Sequence, residues 1–167
     1  RWESVANAVE ALASPDRRIP NRDGYVFIHD GARPFLNEEI LVRTYETVQE
    51  YQACVAAMPS KDTMKLVDEK GFAVSTPNRE HLWSIQTPQV FGTELIGRAY
   101  GALREKAGRE GFEAVTVTDD ASVVELFTDC RVKLTKGSYE NIKITTPEDM
   151  KVAEAFLADR LQEAPPF

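Results

Sequence analysis

Two short stretches bring together residue types that could manage a polyanion. The first is His29-Asp30-Gly31-Ala32-Arg33-Pro34, directly after the apolar run Tyr25-Val26-Phe27-Ile28. In open α/β sheets, ligands bind beyond the carboxyl ends of strands. A carboxylate placed there, such as Asp30, can hold a divalent metal, and Arg33 can fork onto a phosphate. The same residues also suit a strand-ending turn, with Asp30 bonding backbone amides and Arg33 ion-paired on the surface. The second stretch is Asn141-Ile142-Lys143-Ile144-Thr145-Thr146-Pro147. Lys143 lies just before a helix start, and a lysine near free helical amides makes an anion site. An exposed lysine ahead of an ordinary cap is the alternative.

Lesser signals stand elsewhere. Thr118-Asp119-Asp120 joins a hydroxyl to carboxylates, a trio that also commonly starts helices. Thr87-Pro88-Gln89 reads as a rigid loop offering a hydroxyl, or simply as a turn. His29 and His81 are too isolated in sequence to suggest a metal pair and fit packing or surface roles. There is no GxSxG elbow, no cysteine with an evident histidine partner, no Walker loop and no GxGxxG. What remains suits positioning of polyanions better than covalent chemistry.

These residues need a scaffold, and hydrophobic periodicity supplies one. Val5, Val9 and Leu12 predict a helix ending before Pro15. Residues 25–28 form a buried strand, followed by a helix capped by Asn37 with Glu38 and Glu39 in its first turn. Ile40, Leu41, Tyr45 and Val48 are its expected buried face. Ala53-Cys54-Val55-Ala56-Ala57 is a second buried strand, so strand, helix and strand make a parallel crossover and the class is α/β. Residues 60–83 break the pattern: 63–67 and 72–76 read as a hairpin about Gly71, too polar for the middle of a sheet. An arm projecting from a core of 1–59 and 84–167 is the expectation. Helices follow around Leu95–Leu103 and after Thr118, with a short strand at 131–134. The last helix starts with Thr146 as cap and Pro147 at its first position, burying Met150, Ala153, Phe156 and Leu157. The tail 162–167 is expected to fray.

Bulk composition narrows the class. The 167 residues suit one domain, and 27 acidic against 20 basic side chains give a net charge of −7. That argues against nucleic acid as a partner. Cys54 and Cys130 sit in no metal-binding cluster, and no apolar run reaches the ~18 residues of a membrane span. A reduced, cytoplasmic setting is therefore expected, with no membrane association. The opening Arg1-Trp2-Glu3-Ser4-Val5 enters an amphipathic pattern at once, without methionine, as a fragment or processed chain would.

Six stretches, taken in order, resemble one family. They are Arg1–Val5, His29–Phe35, Asp62–Lys65, Leu82–Phe91, Thr118–Ser122 and Asn141–Asp149. This order is similar to that of 2-C-methyl-D-erythritol 4-phosphate cytidylyltransferases, and it covers nearly the whole chain. The resemblance implies a Rossmann-like nucleotidyltransferase domain, transfer of cytidylyl from CTP to methylerythritol phosphate with Mg²⁺, and a homodimer made by an interlocking β-arm at 60–83.

Carried over motif by motif, Asp30 resembles the catalytic, metal- and substrate-side carboxylate, placed also with the nucleotide contacts, and Lys143 a catalytic and substrate-pocket lysine. Arg33, Thr87 and Thr118 resemble substrate-pocket residues. Thr63 and Arg79 resemble arm residues reaching the substrate phosphate of a partner subunit, and Ser4 the serine against the cytosine. Gly31 stands where the family usually has alanine. The family's first strands and its glycine-rich, triphosphate-holding loop have no counterpart in these 167 residues, so the chain alone is expected to be inactive. A ribitol 5-phosphate cytidylyltransferase shares several of these motifs. A non-catalytic dimerisation fragment, or a protein continuing into a second enzyme domain, are the other readings.

Overall fold

The computed structural model describes residues 2–13, 24–111 and 116–163. A four-stranded sheet organises them, in the order β1 (Tyr25–Ile28), β5 (Trp83–Gly92), β2 (Ala53–Pro59), β6 (Lys133–Lys136). β1 and β2 each pair antiparallel with β5, whereas β2 and β6 pair parallel. The expected crossover therefore exists with a difference. β1 and β2 run the same way, but β5 lies between them and α2 (Glu38–Tyr51) bridges over it.

That central strand corrects the reading of Thr87-Pro88-Gln89 as a loop or turn. Proline inside an apolar run argues against a strand because it cannot donate to the ladder. Here the ladder is interrupted: β2 and β5 shift register between Val55 and Ala57, and the β1 pairing ends at Gln89. Pro88 falls in that gap, where no backbone donor is required of it.

Both faces of the sheet are covered, which explains why β2 is buried along nearly its whole length. On one face Val55 and Phe91 pack with α1 (Trp2–Ala13), α3 (Thr93–Glu110) and α4 (Asp120–Phe127) in the main core. On the other, Cys54 and Val90 meet Val48 of α2. The alternation of neighbours between faces is the period of two that a strand imposes.

Helix α2 begins as expected, with Asn37 Oδ1 accepting from the Ile40 N–H at 3.0 Å. Its buried face differs. Ile40, Thr44 and Val48 point inward, with Thr44 Oγ1 donating to the Ile40 carbonyl at 2.8 Å, while Leu41 and Tyr45 are 39% and 46% exposed. The i, i+4, i+8 row turned to the sheet contains a threonine whose hydroxyl its own helix satisfies. Leu41, Val42 and Tyr45 instead line an open apolar groove with Phe27.

Of the expected buried face of α5 (Pro147–Glu163), Ala153 is buried and Phe156 partly so, while Met150 and Leu157 are exposed. The helix docks along one narrow line, with Phe156 edge-on to Phe35 at 5.7 Å and Arg160 over the same ring. Residues 60–83 carry a separate two-stranded sheet, β3 (Leu66–Val67) and β4 (Ala73–Ser75), shorter than the expected 63–67 and 72–76. β6 begins two residues later than the strand expected at 131. Pro15 lies outside the described residues, as does the last part of the tail expected to fray.

Candidate active site

β1, β2 and β6 all point their carboxyl ends to one edge of the sheet, and the two polyanion-suited stretches emerge there. His29–Arg33 leaves β1, while 137–146, which belongs to neither helix nor strand, joins β6 to α5. Between them passes the middle of β5. The three segments converge on Asp30, whose side chain is 17% exposed. Lys143 Nζ lies 3.1 Å from Asp30 Oδ2, and Arg33 Nε 3.6 Å from the same oxygen. Lys143 keeps 41% of its side chain exposed.

The other contacts lock the surroundings. The Asp30 N–H donates to Thr87 Oγ1 at 3.1 Å, and Thr87 is buried on β5. Arg33 Nη1 donates to the Asn141 carbonyl at 2.7 Å. Its position also depends on a turn in which the Arg33 N–H donates to the Asp30 carbonyl at 3.0 Å. Four of the expected site residues, Asp30, Arg33, Thr87 and Lys143, therefore meet at one place. Asp30 and Arg33 do not simply pair on the surface: both are tied into a structure made by distant segments.

The remaining candidates stand elsewhere. Thr118 is exposed at the head of α4 and lines a cavity of about 180 Å³ with Trp2, Val117, Tyr100, Asp119 and Asp120. Asp119 caps that helix and exchanges bonds with Ser122, while Gln89 of β5 reaches across to Asp119 Oδ2 at 2.9 Å. Ser4 is exposed in the first turn of α1, which also brings Trp2 to the cavity. Thr63 and Arg79 are exposed on the 60–83 segment, where Arg79 Nη1 donates to the Lys61 carbonyl at 3.3 Å.

Among the described residues no group of three or more His, Cys, Asp or Glu side chains is placed to hold a metal. Magnesium is usually held by one or two carboxylates, with substrate phosphates and water completing its shell. A single carboxylate beside two cationic side chains fits an ion arriving with nucleotide phosphates and does not fit a protein cage.

A family model described as IspD, 2-C-methyl-D-erythritol 4-phosphate cytidylyltransferase, matches residues 1–159. The chain belongs to this family. The cytidylyltransferase of that name from Lachnospira eligens is 52% identical over 134 residues, which are 80% of this chain and 57% of that protein. Its counterpart from Desulforamulus reducens is 47% identical over 142 residues, 85% of this chain and 57% of that protein. The crystal structure of 4-diphosphocytidyl-2C-methyl-D-erythritol synthase from Anaerococcus prevotii superposes with a TM-score of 0.76 at 38% identity. It covers 90% of this chain and 64% of its own. The chain thus spans less than two thirds of the length of these cytidylyltransferases.

Within the cytidylyltransferase fold, sequence reasoning passed over several side chains that build the site. His29, whose isolation in sequence suggests packing or a surface role, has Nδ1 2.9 Å from Thr87 Oγ1 and Nε2 3.0 Å from the Arg33 carbonyl. Gln86 Nε2 donates to the Ser138 carbonyl at 2.7 Å, and Gln89 Oε1 accepts from the Ala121 N–H at 2.8 Å. Asn141 is fully buried. One signal could have found the glutamines: two amides flanking Thr87-Pro88 within an otherwise apolar run, since buried amides must find partners.

Proposed function

We propose that this chain carries the alcohol-phosphate half of a cytidylyltransferase that joins CTP to 2-C-methyl-D-erythritol 4-phosphate in isoprenoid biosynthesis. The observation that carries this reading is Lys143 Nζ at 3.1 Å from Asp30 Oδ2, with Arg33 beside them, at the carboxyl ends of the strands. In the reaction a phosphate oxygen of the methylerythritol monoester attacks the α-phosphorus of CTP. A new O–P bond forms, the bond from the α-phosphorus to the bridging oxygen breaks, and pyrophosphate leaves. Nothing in this sequence of bonds requires a covalent enzyme intermediate.

The difficulty is charge. Two phosphate charges about 4 Å apart repel by roughly 4 kcal/mol per pair at an effective dielectric constant near 20. Lys143 and Arg33 offset that repulsion on the substrate side. Thr87 holds the Asp30 backbone in register, and Thr118 lines the neighbouring pocket on the α1 and α4 side, with Ser4 exposed on the first turn of α1. Asp30 would hold a magnesium ion, which when bound neutralises phosphate charge. Fixed charges in a partly closed site need no reorganisation as charge develops, which is why they lower the barrier.

Residues 60–83 act as a dimerisation arm in this reading, delivering Thr63 and Arg79 to a partner's substrate phosphate. Support comes from the exposure of Leu66, Val67, Phe72 and Val74 on a hairpin with no core of its own. The chain spans less than two thirds of the length of the relatives it matches, and in this reading it supplies the methylerythritol phosphate side of the site.

Pyrophosphate release from CTP tests this, with methylerythritol phosphate and ribitol 5-phosphate as parallel acceptors. The product of the complete reading frame should prefer the methylerythritol acceptor, and the 167-residue chain should be inactive with both. Preference for ribitol phosphate would overturn the substrate, and brisk turnover by the 167-residue chain would overturn its dependence on further sequence.

A further inference from the structure

Asn141 is fully buried, and nothing in the reaction above uses its side chain. Its Nδ2 donates to the Thr87 carbonyl at 2.8 Å and stands 3.4 Å from Gln86 Oε1. Its own carbonyl accepts from Arg33 Nη1 at 2.7 Å. Just along the chain, the Ile144 N–H donates to the Ala32 carbonyl at 2.8 Å. Lys143 sits between these two ties.

His29 closes the circuit from the opposite side. Its Nε2 faces the Arg33 carbonyl, which can only accept, so in the neutral ring Nε2 carries the proton. Nδ1 then accepts from the Thr87 hydroxyl, whose oxygen in turn accepts from the Asp30 N–H. Asn141 thus joins the strand bearing Thr87 to the guanidinium of Arg33, from a segment outside the regular structure. Gln86 of β5 ties the start of that segment through the Ser138 carbonyl at 2.7 Å, and the turn from the Asn141 N–H to that carbonyl at 3.1 Å carries the chain on, so that the Asn141 amide makes the next contact with β5 before Lys143.

We propose that Asn141 is a positioning residue, whose amide sets where the Lys143 ammonium and Arg33 guanidinium stand relative to Asp30 and Thr87. The proposal rests on reading the site as a methylerythritol phosphate pocket. A displacement near 1 Å of a group that orients a reactant can cost on the order of a hundredfold. Loss of the amide donor would permit such a displacement, because the stretch bearing Lys143 would no longer be tied through this side chain to the Thr87 carbonyl.

The test is a double-mutant cycle read by titration calorimetry with 2-C-methyl-D-erythritol 4-phosphate. Asn141→Leu keeps the volume and removes the amide donor without adding charge; Lys143→Ala removes the ammonium. With Lys143 present, Asn141→Leu should weaken binding by about tenfold or more, and in the Lys143→Ala background by less than about threefold. Equal losses in both backgrounds would mean a merely structural role and overturn the proposal, as would a negligible loss with Lys143 present. If Asn141→Leu lacks a cooperative melt, Asn141→Ala goes through the same cycle under the same criteria. Should the unsubstituted chain fail to bind the ligand at millimolar concentration, the pocket reading falls and this role falls with it. Binding by the unsubstituted chain with an additive cycle overturns the role alone.

Discussion

Gly137 passes so close to Gln86 that a β-carbon placed on it would lie 3.3 Å from Cδ, and nearer still to Oε1. The Ala57 nitrogen stands 3.5 Å away on the other side. Gln86 cannot simply swing aside, because its amide nitrogen bonds the Ser138 carbonyl at 2.7 Å inside a nearly closed site. Gly137→Ala should therefore destabilise the fold by about 1–3 kcal/mol, the usual cost of overpacking. Urea denaturation would measure it, and an unchanged midpoint would mean that the segment bearing Lys143 yields freely.

Asp30 faces two cations, so neutralising it has consequences beyond one lost contact. If the site acts in cytidylyl transfer as proposed, Asp30→Asn should reduce that transfer by roughly a hundredfold or more, the scale seen when a fixed electrostatic group is removed from a reacting centre. Steady-state pyrophosphate release by the complete protein is the measurement. Retained activity in a variant that melts cooperatively would remove Asp30 from the reaction.

Which of these features the sequence could reveal depended on how far the partners lie along the chain. Asn37 caps α2 through Ile40, and Thr146 with Asp149 starts α5, both within a single turn. Such local chemistry is written in adjacent residues and was legible. Gln86 and Gln89 were not, because their partners Ser138 and Asp119 lie 30 or more residues away, and Thr87 stood out only as a hydroxyl on a loop or turn and not as a residue of the central strand. Without those partners the run reads as a loop or turn about Pro88. The inward Thr44 was missed for a related reason: its hydroxyl is satisfied by its own helix, so it occupies a place that hydropathy alone would give to Leu41 or Tyr45.

Gln89 offers a sharp test of that buried polar network. It is 1% exposed, and both ends of its amide are used, Nε2 on Asp119 and Oε1 on the Ala121 N–H. Gln89→Leu preserves bulk and leaves those two partners facing apolar surface. A loss of about 1–3 kcal/mol is expected, the cost of leaving buried polar groups unsatisfied. Amide exchange should accelerate first at the head of α4, around Asp119–Ser122. Uniform acceleration across the sheet would place the damage elsewhere.

The hairpin at 66–75 exposes Phe72 at 70% and Val74 at 68%, in a sheet of only two strands. Under the arm reading, a second copy covers these side chains. The Phe72→Glu, Val74→Glu double variant should shift the mass measured by light scattering from dimer to monomer, while the core melt changes little. A monomeric unsubstituted protein at the same concentration would refute the arm as a dimer contact.

At the start of α5, Asp149 Oδ2 accepts from the backbone N–H groups of Thr145 and Thr146, each at 2.8 Å. These bonds favour the charged carboxylate and hold its pKa below the ordinary 3.8. A group depressed in the folded state stabilises fully above its unfolded value, and loses that contribution as pH falls through its folded value. Near neutral pH, Asp149→Ala should therefore speed amide exchange at Thr145 and Thr146 and loosen the first turn of α5. Toward the acid end of the range the difference between variant and parent should shrink, because protonation removes from the parent what the substitution removes from the variant. A carboxyl resonance of Asp149 titrating at or above 3.8 would contradict the geometry.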